Sequence, residues 1–450
     1  MAVACGALLL CVMPLHADKK KKDAQPPATS AEPKKLAWAE NIVWPAPPSV
    51  PRVKYLDFFS ADKNASLGNA GKGQKKKASW MDRMAGTATD KERLSDPTKA
   101  HFQLLNPYGM AVDSKGRLYI ADTKVGAVFI FNTETRDTDM IRNGPDARFG
   151  SIYGLAIDDN DRLFVADAYY RHVLMFNAKH KLEAVIGEGV MSDPCGVAVD
   201  VENRQLYVVD TGYDQVLVFD LDTLRPKHAI GTSGKDHTLT EPGDFSKPTN
   251  IAIDSDQNIY VTDTYNNRVE VFDADGAFIR EFGQEGDAPG DFSRPKGIAI
   301  DSDGHVWVAD AMLNRVQIYD REGKFLLAFG SFGGLPGQFQ ALAGLAIDQK
   351  TNRVFTSEQY LARVQMYRYF TNDEARAELK LRAEQIANPA AAVNAPAKPA
   401  EAAGSQPAPS NSAPAATQPA DTTPKHEMKL APPEATQQPA VQNQKPEAQQ

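Results

Sequence analysis

SRPKGIAIDSDGHVWVADAMLNRVQIYD, Ser293 to Asp320, decides the fold. It holds a Pro-x-Gly turn, an alternating strand GIAID, an Asp-rich turn, a second alternating strand VWVAD, and a third strand opening at Arg315. Period-2 runs rich in Val, Ile and Tyr, bounded by Asp and Gly, predict strands. The pattern recurs as LNPYGMAVDSKGRLYIADTKVGAVFIFN from Leu105 and GSIYGLAIDDNDRLFVADAYYRHVLMFN from Gly150. It returns as SDPCGVAVDVENRQLYVVDTGYDQVLVFD from Ser192, SKPTNIAIDSDQNIYVTDTYNNRVEVFD from Ser246 and ALAGLAIDQKTNRVFTSEQYLARVQMY from Ala341.

The first acid of each copy is Asp113, Asp158, Asp200, Asp254, Asp301 or Asp348, at spacings of 45, 42, 54, 47 and 47 residues. That room suits a blade of four short strands, named a to d from the axis outward, so six copies predict an all-β, six-bladed β-propeller. KFLLAFG and AFIREFG supply strand d in blades five and four. Blade six runs instead into TNDEARAELK and lacks its fourth strand. RVKYLDFFSA (Arg52 to Ala61) resembles the outer strands and is expected to complete blade six, closing the ring.

The repeat runs from Leu105 to Tyr367 as Gly-x-Ala-x-Asp, then aliphatic-aromatic-aliphatic-x-Asp, then Arg-aliphatic-x-aliphatic-aromatic. In this it resembles the NHL family, and WPAPPSVPRVKYL and SWMDRMAGT look like the exported bacterial members. The resemblance implies a six-bladed propeller and leaves function open, because propellers host many functions.

The ends of the 450-residue chain differ from its middle. MAVACGALLLCVMPLHADKKKK reads as a signal peptide over residues 1–17, cleaved after Leu15-His16-Ala17. Ala2-Val3-Ala4-Cys5 resembles a lipobox, which makes a lipid-anchored form the alternative. The protein is therefore expected in the periplasm or secreted, touching a membrane only through such an anchor, and as a monomer. Residues 18–51 read as a flexible leader, 52–370 as the propeller (with 62–100 a linker insertion containing a short helix), and 371–387 as a short helix. Residues 388–450, rich in Ala, Pro and Gln, are expected to be disordered. Loss of the signal peptide, which holds Cys5 and Cys11, leaves Cys195 as the one cysteine, which excludes an intrachain disulfide and a Cys-x-x-Cys site.

Acids repeated once per blade suit architecture better than a single active centre. The second acids, Asp122, Asp167, Asp210, Asp263, Asp310 and Glu358, are therefore read as structural, and the first acids as turn formers. Arg268, Arg315 and Arg363 open strand c and are expected to bridge the second acid, whereas blades one to three carry Ala127, His172 and Gln215 there.

In such a blade the d–a and b–c connections share one face of the disc. That face collects Tyr108, Tyr153, Tyr169, Tyr170, Arg171, His172, Tyr213, Tyr265 and Tyr360, with Lys124 and Lys296. Tyrosines around a central depression suit recognition of a protein, peptide or glycan. From His101 to Phe370 there are 26 basic and 39 acidic residues, a net charge of −13 that argues against a nucleic-acid partner.

These features predict a non-enzymatic interaction module with no catalytic residue, metal or cofactor. The alternative is a metal-dependent lyase, because the peptidyl-hydroxyglycine amidating lyases share the six-bladed fold and use histidine-bound metal. His101, His172 and His237 fall on the proposed binding face, His180 and His305 on the other, and His228 in an outer strand, without fixed ligand spacing. Gly-x-Ser-x-Gly, His-Glu-x-x-His and phosphate-loop patterns do not occur.

Overall fold

The computed structural model describes residues 42–60, 102–144, 147–231 and 241–387. The stretches read from the sequence as signal peptide, linker insertion and Ala/Pro/Gln-rich tail, and most of the one read as leader, lie outside the described residues.

The chain forms a six-bladed β-propeller. β1 (Val43–Trp44) and β2 (Val53–Phe59) precede the blades. Blade one is β3 (Pro107–Val112), β4 (Arg117–Asp122), β5 (Ala127–Asn132) and β6 (Thr138–Ile141). Blade two is β7 (Ile152–Ile157), β8 (Leu163–Asp167), β9 (His172–Phe176) and β10 (Leu182–Ile186). Blade three is β11 (Pro194–Asp200), β12 (Gln205–Asp210), β13 (Gln215–Asp220) and β14 (Pro226–Ile230). Blade four is β15 (Pro248–Ile253), β16 (Ile259–Asp263), β17 (Arg268–Phe272) and β18 (Phe278–Phe282). Blade five is β19 (Pro295–Ile300), β20 (Val306–Asp310), β21 (Arg315–Tyr319) and β22 (Phe325–Phe329). Blade six contributes β23 (Leu342–Asp348), β24 (Arg353–Glu358) and β25 (Arg363–Tyr369), after which the chain leaves as α1 (Asn372–Ala387).

β2 pairs antiparallel with β25, from Val53 opposite Tyr369 to Phe59 opposite Val364, and is the fourth strand of blade six. Inner strands β23 and β3 touch, so the ring closes. The end of the leader, read as flexible, is part of the fold: β1 adds a fifth strand by pairing with β2, and Trp44 packs on Phe329 at 5.1 Å. Two residues carry too short a period-2 signal to be seen beforehand.

Six hydrophobic clusters fill the interfaces between neighbouring blades. The alternation explains them: successive side chains of strands b and c point to opposite faces of their blade, and both faces are covered, so VWVAD is buried along its whole length. Each Val or Ile so placed contributes roughly 1.5–3 kcal/mol.

One interface also buries charge. Arg268 of β17 meets Asp263 at 3.1 Å, Glu270 at 2.6 Å and Glu281 at 2.9 Å. Glu270 is fully buried and accepts the Gly243 N–H at 2.8 Å. At the same register, blades five and six use Gln317 and Gln365 to accept the Gly290 and Gly337 N–H groups at 3.0 and 2.8 Å. Burial pushes the Glu270 carboxyl up to about 7, against the opposing pull of the Gly243 N–H and Arg268. The folded chain thus holds this proton more tightly than the unfolded chain. Its contribution to stability is full below about pH 4.5 and is lost as the pH rises through about 7. Glu270→Gln keeps the acceptor and removes the titration. Chemical denaturation at pH 5 and pH 8 is expected to show the variant gaining on the wild type by on the order of 2–3 kcal/mol at the higher pH. A pH-independent difference between the two chains would contradict this account.

Candidate binding face and axial mouth

The site is built on the second acids, each completely buried. Asp122 accepts the Leu105 and Asn106 N–H groups from the d–a side, at 2.6 and 3.0 Å, and those of Lys124 and Val125 in the b–c turn, at 3.1 and 2.9 Å. Asp167 does the same with Gly150, Ser151, Tyr169 and Tyr170. Asp310 does so with Ser293, Arg294, Met312 and Leu313. Asp210 takes Ser192, Asp193 and Gly212. These carboxylates act as staples between the two loops on one face of each blade. The first acids form turns within one loop, as when Asp301 accepts the N–H groups of Asp303 and His305, both at 2.9 Å.

The strand-c arginines follow from how full each acid is. Asp263 and Glu358 each receive one backbone N–H, from Ser246 and Gln340, and there the arginine bridges: Arg268 at 3.1 Å and Arg363 at 2.6 Å. Arg315 does not bridge Asp310, contrary to expectation. Four amides already occupy that carboxylate, and the guanidinium turns to the carbonyls of Asp287, Ala288 and Asp291. Blades one to three, whose acids already take three or four amides, have no need of the arginine.

The b–c turns raise a rim of exposed aromatic side chains. Tyr169 is 70% exposed, Tyr265 56% and Tyr360 79%, and Tyr170 and Tyr213 are also exposed. Tyr169 meets Tyr170 edge-on at 4.9 Å, Tyr170 stacks on His172 at 5.7 Å, and Arg294 covers the Tyr265 ring at 4.4 Å. Arg171 is exposed with a positive φ of 60°, and burial lowers the pKa of half-buried His172. Met312, 65% exposed, occupies in blade five the register of Tyr265 and Tyr360. Aligning the repeats on their second acids would have found it. Phe332 and Leu335 are exposed on the same face. A cleft of about 320 Å³ opens beside the rim between Asn143, Arg148, Phe149 and Tyr170.

Tyr108 and Tyr153 lie elsewhere than on the rim. In all six inner strands the ladder skips the second and third residues: Pro107 faces Asp122 and the next pair is Met110 with Ile120. The same shift follows Ile152, Pro194, Pro248, Pro295 and Leu342. A bulge of two residues against one re-aims side chains. The bulged second positions are Tyr108, Tyr153, Cys195, Thr249, Lys296 and Ala343.

Buried Tyr108, Cys195 and Ala343 form one cluster with Tyr153 packed on it, although they come from blades one, three and six. Blades three and six are opposite, so they meet only at the axis. Tyr108 plugs it, edge-on to Tyr153 at 5.0 Å, with its hydroxyl accepting the Cys195 thiol at 3.7 Å and Lys296 Nζ 5.8 Å from its ring centre. Burial and the neighbouring Cys195 hold the Tyr108 hydroxyl well above 10, and burial raises Tyr153. Burial pushes the Cys195 thiol up to about 11 and pulls the Lys296 ammonium down. The first residue of β19 pairs with Asp310 beside the b–c turn, so Lys296 lies at the end of the axis on the side of the turns that carry the rim tyrosines.

Among the described residues no group of three or more His, Cys, Asp or Glu side chains is arranged to hold a metal ion. His180 is hydrogen-bonded to Tyr119 at 2.9 Å and His305 to Asp301 at 3.0 Å. His101 and His237 lie outside the described residues.

Residues 240–326 match the model of a family described as a six-bladed β-propeller. Among solved structures the chain is similar to virginiamycin B lyase from Staphylococcus aureus, crystallised with quinupristin, at 15% identity over 59% of this chain and 95% of that one, TM-score 0.44. It is also similar to a gluconolactonase from Xanthomonas campestris at 17% identity over 60% and 87%, TM-score 0.47. A chain of a nidogen/laminin complex matches at 14% identity over 56% and 89%, TM-score 0.44. Likenesses at this level speak to fold alone, and the proteins that carry them differ in function.

Proposed function

We propose that this is an exported, NHL-type propeller, periplasmic or secreted, that acts without catalysis as a binding module for a protein, peptide or glycan. The observation that carries the reading is the rim: Tyr169, Tyr170, Tyr213, Tyr265, Met312 and Tyr360 stand exposed on the b–c turns of one face. Tyrosine offers wide contact area with few rotatable bonds, and the turns of Tyr169, Tyr170, Tyr213 and Met312, fixed by buried carboxylates, lose little further entropy on binding. The acidic domain favours ligands that are neutral or cationic at the periphery.

Screening the full chain against a glycan array and a random-peptide phage library tests this. Binders are expected, and Tyr265→Ala with Tyr360→Ala is expected to weaken them by about 30-fold or more, since an anchor side chain is worth about 2 kcal/mol. Binders indifferent to the rim substitutions would overturn the reading. Stoichiometric zinc in the purified protein, removed by a chelator, would instead favour the metal-dependent lyase.

A further inference from the structure

The axial mouth carries a cation without an anion. Lys296 is half-buried, and among the described residues its ammonium makes no hydrogen bond or ion pair; the Tyr108 ring centre lies 5.8 Å from it. Cys195, the one group whose charge bears on Lys296, keeps its proton at neutral pH because burial holds the thiol up at about 11, so it supplies no counter-charge. A desolvated ammonium with no partner is costly, which gives an anion at this point an unusually large reward.

A second, independent group points the same way. The bulged third position is glycine in five blades, Gly109, Gly154, Gly196, Gly297 and Gly344, and Asn250 in blade four. The neighbours of Asn250 are fully engaged: its N–H and C=O both bond Thr262 Oγ1, which also donates to the Lys296 carbonyl at 2.9 Å. Its side-chain Nδ2 is buried and makes no hydrogen bond of normal geometry, although it lies close enough to the Tyr108 hydroxyl to pull that hydroxyl down against the effect of burial. The Tyr108 hydroxyl accepts from Cys195, which leaves its own proton to donate. Lys296, Asn250 and Tyr108 thus come from blades five, four and one and present donors at the mouth, beside Tyr153, Cys195, Thr249 and Ala343 and the glycines of the other blades.

We propose that the axial mouth binds a carboxylate, held by the Lys296 ammonium, the Asn250 amide and the Tyr108 hydroxyl; this rests on the rim reading in assigning that carboxylate to the rim's ligand. One ammonium neutralises a monoanion, and the acidic domain around it disfavours a dianion such as phosphate. A peptide C-terminus and a uronic acid share this chemistry.

The test uses the full chain with its lysines reductively ¹³C-methylated, which keeps their charge, and the Lys296 signal assigned by its loss in Lys296→Met. Sodium acetate is expected to move that signal saturably, whereas acetamide and sodium chloride at matched ionic strength leave it in place. Asn250→Gly, which restores the residue of the other blades, is expected to weaken the acetate response about ten-fold. Acetate acting no more strongly than chloride, acetamide acting as strongly as acetate, or phosphate binding in preference to acetate would each overturn the proposal. N-acetylglycine and glucuronate then separate the two sources; at least one is expected to outbind acetate, and neither doing so breaks the link to the rim ligand. The Tyr265→Ala/Tyr360→Ala chain should keep the acetate response in full. Loss of rim binders with the acetate response intact therefore refutes the rim reading alone, and an absent acetate response with rim binders intact refutes this proposal alone.

Discussion

Deleting residues 52–60 is expected to abolish cooperative folding of the propeller. The segment buries Val53, Tyr55 and Phe59, each 5% exposed or less, against blade six and its neighbours. At roughly 1.5–3 kcal/mol for each such side chain, the loss is on the order of 5–9 kcal/mol, comparable with the whole stability of an ordinary domain, about 5–15 kcal/mol. Polar contacts go with it: Arg52 bonds the Phe370 carbonyl at 3.2 Å, the Tyr369 hydroxyl at 3.0 Å and Asn372 at 2.6 Å. The deletion also bares β25 as an open edge, an invitation to pair with another chain. Thermal unfolding followed by circular dichroism, with light scattering for self-association, measures the effect. A melting temperature unchanged by the deletion would show that another segment closes the ring.

Gly344→Ala should be the most damaging single methyl that can be added to the axis. A Cβ there would fall 2.0 Å from the Tyr108 carbonyl oxygen and 2.7 Å from Ser357 Oγ. Neither is free to retreat, because Ser357 Oγ donates to that carbonyl at 2.6 Å and accepts the Gly344 N–H at 2.8 Å. Blades six and one would have to separate where the ring is narrowest. Overpacking of this kind costs about 3 kcal/mol or more. Gly334→Ala, on a loop where a Cβ meets nothing within 4 Å, is the control and should stay within about 0.5 kcal/mol of wild type. Equal destabilisation by the two substitutions in urea titrations would mean that the inner strands are not packed as closely as the structure places them.

Both predictions concern the ring, and the ring was legible. The repeat spacing of 42 to 54 residues limits each unit to four short strands. The missing fourth strand after Tyr369 has its counterpart in RVKYLDFFSA, now β2. Local chemistry sufficed there, because a strand's period and its flanking Asp and Gly are properties of adjacent residues. The exposed rim was legible for the same reason: Tyr169, Tyr265 and Tyr360 follow the second acid at a fixed offset, on the turn. β1 escaped notice because a two-residue strand has no period, and Arg315 because the occupancy of Asp310 depends on loops 16 and 17 residues away.

The order of residues along the chain therefore determined the number of blades, the strands within each, the closing segment and the face on which the tyrosines stand. Tertiary structure alone decided what fills the axis. Tyr108 and Tyr153 read as rim residues, and a bulge repeated in every inner strand turns them inward instead. Cys195, Asn250 and Lys296 lie at equivalent or adjacent repeat positions about a hundred residues apart end to end, and the repeat gives no sign that these positions turn toward the axis. They come together because non-neighbouring blades of a closed ring share one place, its centre, and no local pattern encodes which side chains meet there.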